Sequence, residues 1–232
     1  MLPLVRTGTD TYRVVGTLRA LTTGEIKEHF SGRSSLGGPY FVEELLRQEG
    51  LGGALPDDVK VYTFYGHVGH VLLRRPTEHG RIATMNYRYV AEDGTDLGPN
   101  IAPRQRINPS IPLPANFERI TAIARHLSSA VPLPFIRVDV YDTVDGPVLG
   151  ELTRTPGGRQ FYREDHDALL GSLWDEARIR VEVDIQAGRP PFTLHGLVPA
   201  TNPYPPDHFS HRADPGGWFV HRTACDHWCT LP

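Results

Sequence analysis

Between Phe135 and Gly158 the chain reads FIRVDVYDTVDGPVLGELTRTPGG, which sets Arg137, Asp139 and Glu151 into what otherwise has the pattern of a buried β-hairpin. Successive side chains of a strand point to opposite faces. Ile136, Val138 and Val140 therefore share an apolar face, and Arg137, Asp139 and Tyr141 a polar one. On the returning segment Leu149, Glu151, Thr153 and Thr155 alternate together. Register then decides the chemistry. A three-residue loop, Val144 to Gly146, places Asp139 opposite Glu151 and Arg137 opposite Thr153, whereas a two-residue Asp145-Gly146 loop places Asp139 opposite Leu152. Carboxylates facing each other across a strand pair repel. A divalent cation between them, taking carboxylate oxygens as hard ions do, would make the pair favourable. The plainer alternative is a solvated sheet face with Arg137 in a weak exposed ion pair.

These side chains need a scaffold to hold them. TYRVVGTLRALT reads as a strand from Tyr12 to Thr22, with Thr23 as the cap of a short helix over GEIKEHF. DDVKVYTFYGHVGHVLLRR alternates as a hairpin turning between Gly66 and Gly69, and RIATMNYRYV extends the same sheet. In PANFERITAIARHLSSA, Phe117, Ile120, Ala124 and Leu127 recur at helical spacing and lead into the acidic hairpin. EDHDALLGSLWDEA predicts a second helix that buries Leu169, Leu170, Leu173 and Trp174, and RIRVEVDIQAG alternates as a half-buried strand. The class expected is α+β.

At 232 residues the chain suits one or two domains with a substantial core. A formal net charge of −3 supplies no general basic footprint for nucleic acid. No run approaches the 18 apolar residues of a membrane span, and MLPLVRTGTD lacks the apolar region of a signal peptide. The expected location is the cytoplasm. Cys225 and Cys229 imply no disulfide framework. Proline clusters at Ile111 to Pro114 and Pro190 to Pro215 mark connectors. The last segment gathers His195, His208, His211, His221 and His227 with the two cysteines. Zinc takes such ligands, but the spacing is loose, and an ordinary tail or a cover over the site are the competing readings.

The order Arg-x-Asp, hairpin turn, Glu-x-Thr, Pro-Gly resembles the metal-binding hairpin of ATP-grasp enzymes, and RVDVYDTVDGPVLGELTRTPGG is most similar to the TupA-like branch named for teichuronopeptide biosynthesis. FVEELL followed by DDVKVYTFYGHVGHVLLRR is similar to that branch's Glu-Glu segment, Asp-x-Lys and aromatic strand. The resemblance covers Pro39 to Gly171. It implies two α+β lobes with antiparallel sheets gripping a nucleotide, with a partial N-terminal lobe over 1–46, a central lobe over 47–186 carrying hairpin 135–158, and a tail over 187–232. It implies ATP and Mg²⁺, with Asp139 and Glu151 as metal ligands and Thr153 beside them where the wider family usually has asparagine. Glu43 and Glu44 would face the adenine and ribose. Asp58, Lys60 and Arg75 would approach the nucleotide phosphates, Arg6 would stand where the family carries an ATP-binding lysine, and Arg137 would stabilise the transferred phosphoryl group.

The reaction implied is formation of an amide from a carboxylate and an amine through an acylphosphate. The carboxylate would be a small molecule or polymer-linked and the amine an amino acid, in cell-wall polymer or specialised-metabolite synthesis. Positioning and electrostatics suffice for such transfer, so no Ser/His/Asp constellation is needed. Two alternatives stay open. One is a degenerate ATP-grasp domain that binds nucleotide or a partner without turnover, and the other is a glycosidase using Asp139 and Glu151 as its acid pair.

Overall fold

The computed structural model of the chain describes residues 2–31, 45–51, 54–76, 84–157 and 160–187. The element order is β1 (Leu4–Arg6), β2 (Tyr12–Val14), β3 (Ala20–Leu21), α1 (Thr23–Ser31), β4 (Asp58–Phe64), β5 (His67–Pro76), β6 (Met85–Val90), α2 (Phe117–Ala130), β7 (Ile136–Thr143), β8 (Gly146–Thr153) and α3 (Glu164–Gln186). Strands β1 to β3 form one antiparallel sheet, and the other five form a second in the order β6-β5-β4-β7-β8.

The N-terminal stretch expected as one strand from Tyr12 to Thr22 is broken into β2 and β3, because Gly16 at φ 76° turns the chain between them. The cap of α1 is Thr22 and not Thr23. Its hydroxyl accepts from the Glu25 amide at 3.2 Å while the Glu25 carboxylate accepts from the Thr22 amide at 2.7 Å, a reciprocal capping box.

One face of the five-stranded sheet, face A, packs on α2. Val59, Val61, Val71, Leu73, Val90, Ile136, Val138 and Val140 meet Phe117, Ile120, Ala124 and Leu127 there, all buried. Full burial of each such side chain is worth about 1.5–3 kcal/mol, and this is the main core. On the opposite face, face B, Tyr62, Phe64, Leu72, Tyr89 and Phe135 pack under α3 and the loop carrying Ile101 and Ala102.

Helix α3 runs unbroken to Gln186, so the alternating segment RIRVEVDIQ is helix where a strand is expected. His166, Leu170, Leu173, Ala177 and Val181 form one inward stripe at three- and four-residue spacing. Arg180 donates to the Phe64 carbonyl at 2.9 Å and the Tyr65 hydroxyl donates to Asp184 at 2.8 Å, so two polar anchors four residues apart hold the second half of the helix on the β4–β5 turn. Ile179, Val183 and Ile185, which gave the alternation, are exposed, as are Leu169 and Trp174.

Two glycine bulges set which side chains share face B. The β4–β5 turn has Tyr65 at φ 44° and Gly66 at φ 88°, a two-residue hairpin turn with both central residues at positive φ. A straight ladder from the Phe64–His67 pair would oppose Asp58 to Leu73. The register instead shifts between Tyr62 and Thr63, where Gly69 is the extra residue, and Asp58 opposes Arg74. A Cβ at Gly69 would stand 2.6 Å from the Phe64 ring and 2.9 Å from Leu170, so glycine is what lets α3 close over the bulge. In β7–β8 the ladder starts at Thr143–Gly146 and shifts between Asp139 and Val140, with Gly150 as the extra residue. A Cβ on Gly150 would meet the Tyr141 ring at 2.8 Å. The loop is thus Val144-Asp145, neither of the two loops expected from sequence, yet the bulge brings Asp139 opposite Glu151 and Arg137 opposite Thr153. It also parts Leu149, which opposes Val140, from the face carrying Glu151.

Candidate functional site

Face B carries three cross-strand rows. The first is Tyr89, Leu72, Lys60, Asp139 and Glu151, one residue from each strand. On one side of it lie Tyr87, Arg74 and Asp58, and on the other His70, Tyr62, Arg137 and Thr153. Helix α3 covers the His70 end, and the charged residues occupy the other end.

Arg137 grips Asp139 bidentately, Nε to Oδ1 at 2.6 Å and Nη2 to Oδ2 at 2.7 Å, and Nη2 also donates to Thr153 Oγ1 at 3.0 Å. Glu151 Oε2 lies 3.7 Å from the same nitrogen. The Lys60 ammonium bonds Asp139 Oδ2 and lies 2.9 Å from Asp58 Oδ2, whose carboxylate also stands 3.5 Å from Arg74. Three carboxylates and three cations therefore balance in one cluster. Asp139 and Lys60 are buried, while the Glu151 side chain is 61 % exposed. Burial is the largest single influence on Arg137 and works against its charge, but its hydrogen bonds to Asp139 and the attraction of the Asp139 and Glu151 carboxylates together outweigh it and hold the guanidinium protonated more firmly than usual. Tyr141 has its phenol pushed up by burial and by the Asp58 and Asp139 carboxylates. Two polar atoms there, Asp58 Oδ1 and Arg74 Nε, are buried with no hydrogen-bond partner in the protein.

The other end of face B is aromatic. His70 stacks on Tyr62 with ring centres 4.3 Å apart, and its Nδ1 is 3.1 Å from His166 Nε2. Tyr162 Oη is 3.5 Å from His70 Nε2. Burial pushes both histidines below the ordinary range, His70 far below it with His166 adding to the effect, and burial raises the phenols of Tyr62, Tyr89 and Tyr162.

The TupA-like ATPgrasp family model matches residues 46–175, more than half of the chain and the whole of the five-stranded sheet. The chain belongs to the TupA-like ATP-grasp family. No curated protein matches it. Among solved structures it is similar to D-alanine--D-alanine ligase from Bacillus anthracis complexed with ATP, at 12% identity and a TM-score of 0.36, over 72% of this chain and 50% of that one. The chain thus aligns with half the length of that ligase. Membership points to ATP-dependent ligation as the class of chemistry, and the mixed α+β architecture with antiparallel sheets is that of an ATP-grasp domain.

Of the residues read from sequence, the TupA-like domain brings Asp58, Lys60, Arg137, Asp139, Glu151 and Thr153 into one cluster. Arg75 is not brought into it. The Gly69 bulge turns Arg75 to face A, where it grips Asp57 with bonds of 2.7 and 2.6 Å, and presents Arg74 to Asp58 instead. Arg6 is on β1, with its guanidinium folded back on the carbonyls of Gly8 and Thr9 at 3.0 and 2.9 Å. Glu43 and Glu44 lie outside the described residues, as does the histidine- and cysteine-bearing tail. A cleft of about 520 Å³ opens between Val5, Arg13, Val15, Leu18 and Leu51, away from the charged cluster. Sequence reasoning missed Arg74, Tyr62, His70 and His166. The signal for the first three was the alternation Asp58, Lys60, Tyr62 against His70, Leu72, Arg74.

The residues present fit a magnesium-bound nucleotide. Among the described residues no three His, Cys, Asp or Glu side chains form a ready metal cage. Mg²⁺ does not require one, since it is held by one or two carboxylates together with water and substrate phosphates. Asp139 and Glu151 supply two hard carboxylates on one face, and on the same face Arg74 Nε, next to Asp58, is a buried donor without an acceptor in the protein. No helix among the described residues is long and apolar enough to cross a membrane.

Proposed function

We propose that the chain is an ATP-dependent carboxylate-amine ligase that works through an acylphosphate. The observation that carries this reading is the row in which Asp139 faces Glu151 on one side and Lys60 on the other, with Arg137 bonded to the same carboxylate. Asp139 and Glu151 would hold Mg²⁺, which would neutralise phosphate charge during transfer. Lys60 and Arg74 would take phosphate oxygens. Both oxygens of Asp139 are engaged by Arg137 and Lys60. An arriving polyphosphate would offer those cations a second anion and free the carboxylate, so nucleotide and metal would bind as a linked pair.

Chemistry then needs placement more than covalent catalysis. The acceptor carboxylate attacks the γ-phosphorus and ADP departs, giving the acylphosphate. The amine attacks the acyl carbon, phosphate departs, and one proton is lost from nitrogen. Arg137 would stabilise the charge on the transferring phosphoryl group. Selection of the acid and the amine, from small molecules or polymer-linked groups, falls to surfaces beyond this cluster.

A second reading has an observation of its own. A carboxylate saturated by two cations is also what a purely structural cluster looks like, and a domain that binds nucleotide or a partner without turnover would keep it. Titration calorimetry of ATP with Mg²⁺ into the wild type and into Asp139→Asn/Glu151→Gln separates these. Metal-dependent binding that the double variant loses, followed by ADP release with some acid and amine pair, supports the ligase. Binding without ADP release across such pairs supports the second reading, and absence of binding by the folded wild type sinks the first.

A further inference from the structure

The buried array of Tyr62, His70, Tyr162 and His166 at one end of face B lies under α3. The charged end depends instead on β8, the edge of the sheet, which pairs only with β7 among the described residues. Val148 to Leu152 are exposed along it, so burial does little to set its register. The proposed cation site nevertheless needs one register. A straight ladder continued from the Thr143–Gly146 pair would oppose Asp139 to Gly150 and Arg137 to Leu152, and would carry Glu151 round to face A opposite Val138. The extra residue at Gly150 is what returns Glu151 to Asp139.

Taken alone, Gly150 is a loose joint. The extra residue of a bulge is left unpaired, this one is exposed, and glycine has more conformational freedom to lose than any other residue. Its φ is negative, so the backbone there does not call for glycine. Tyr141 does. A Cβ at position 150 would stand 2.8 and 3.3 Å from two carbons of the Tyr141 ring and 3.4 Å from the Asp139 carbonyl oxygen. The ring occupies the place a side chain would take and backs the glycine against the strand that carries Asp139. An aromatic ring laid over a strand glycine restores the packing that the missing side chain gives up. Tyr141 is well placed for this, partly buried on β7 and paired with Val148 just before the bulge.

We propose that Tyr141 is a positioning residue whose ring holds the Gly150 bulge closed and thereby keeps Glu151 across from Asp139. The use made of Glu151 rests on the ligase reading; the hold of Tyr141 on the register does not. The contact is made by the ring, so the hydroxyl should be dispensable and the ring should not. Tyr141 and Gly150 should also act as a pair, because the space that one fills is the space that the other leaves open.

The test uses the full chain labelled with ¹³C and ¹⁵N. In the wild type a cross-strand nuclear Overhauser effect should join backbone protons of Asp139 and Glu151, the opposed pair. Tyr141→Phe keeps the ring and should keep that signal. Tyr141→Ala should weaken it and speed hydrogen exchange of the β8 amides by about twofold to fivefold, the loss of one cross-strand contact. The gain in ATP affinity that Mg²⁺ confers should fall by a similar factor, with ATP affinity in the absence of metal unchanged. Gly150→Ala drives the ring off its seat and should act like Tyr141→Ala, so it decides alone if that variant does not fold. Tyr141→Ala/Gly150→Ala, in which a Cβ fills the vacated place, should recover part of what each single variant loses; simple addition of the two losses counts against the proposal. A signal and exchange rates in Tyr141→Ala equal to those of the wild type, with only the unfolding temperature lowered, overturn it and leave the ring a packing feature. Should the wild type bind no ATP, the ligase reading fails, while the cross-strand signal still decides whether Tyr141 holds Glu151.

Discussion

The two faces of the five-stranded sheet share every backbone atom and differ in what they ask of it. Face A is apolar along β4, β5 and β7 and is closed by one helix stripe, so its stability is a matter of area and volume. Face B places Asp58, Lys60, Arg74, Arg137, Asp139 and Glu151 within one cluster, and its arrangement is a matter of register. Shifting either bulged hairpin by one residue would leave valine and leucine where the charges now stand. The core can therefore be read as a pattern, whereas the site has to be read as an alignment.

The sharpest break between the faces should come from Asp139→Asn. It removes the anion that buried Lys60 and Arg137 share, leaving them only Asp58 and the exposed Glu151, and breaking a buried ion pair by removing one partner costs about 3–5 kcal/mol. Urea unfolding should show that loss, and calorimetry should show metal-dependent ATP binding gone. Retained metal-dependent binding would remove Asp139 from the site. By contrast Ile120→Ala, which hollows face A at a fully buried position, should cost about 2–5 kcal/mol in the same unfolding experiment and leave nucleotide affinity within about twofold. A large affinity change there would mean that the two faces are not separable.

A smaller effect sorts the neighbouring arginines, which the Gly69 bulge sends to opposite faces. Arg75→Met removes the bidentate partner of buried Asp57 and should lower stability by about 1.5–3 kcal/mol, with ATP affinity unchanged. Arg74→Met gives up only a 3.5 Å contact to Asp58 and should change stability little while weakening Mg²⁺-ATP binding about tenfold. The opposite assortment would restore Arg75 to the nucleotide and contradict the bulged register.

That pair also shows what could be read from the sequence. Amphipathic periodicity revealed α2 and its four core residues, and alternation revealed the polar face of β7, because both depend on neighbours along the chain. The opposition of Asp139 to Glu151 was reached through a loop that the structure does not use, and Gly150 supplies the missing step. Arg74 could not be chosen over Arg75 without knowing that Gly69 is an extra residue. In α3 the alternation of Ile179, Val181, Val183 and Ile185 concealed a helical stripe in which only Val181 is buried, since the deciding contacts, Arg180 to Phe64 and Tyr65 to Asp184, lie far away in sequence. What escaped the sequence was in each case a non-local partner.

The least of the expected effects is the dependence of stability on pH, and it separates the halves of face B from each other. Both histidines of the array have their basicity lowered by burial, among the phenols of Tyr62, Tyr89 and Tyr162, with Asp165 and Asp167 raising and Arg163 lowering that of His166. A group whose folded value is depressed binds its proton first in the unfolded chain. Its contribution is therefore complete above the ordinary histidine value near 6.5 and is lost as the pH falls through and below it. Urea unfolding at pH 7.5, 6.5 and 5.5 should show stability declining by up to about 1.4 kcal/mol per pH unit for each extra proton the unfolded chain takes up. His126 on α2 is lowered by burial in the same sense and adds to the slope. The acids of lowered value, Asp10, Glu25 and Asp96 among them, act only further down, where carboxylates titrate. His166→Gln should flatten the slope between pH 7.5 and 5.5 by the share of one proton, while Lys60→Met, in the charged half, should leave the slope as it is. An unchanged slope in His166→Gln would mean that His166 is not held neutral against His70, and the buried array would lose its electrostatic distinction from the charged cluster beside it.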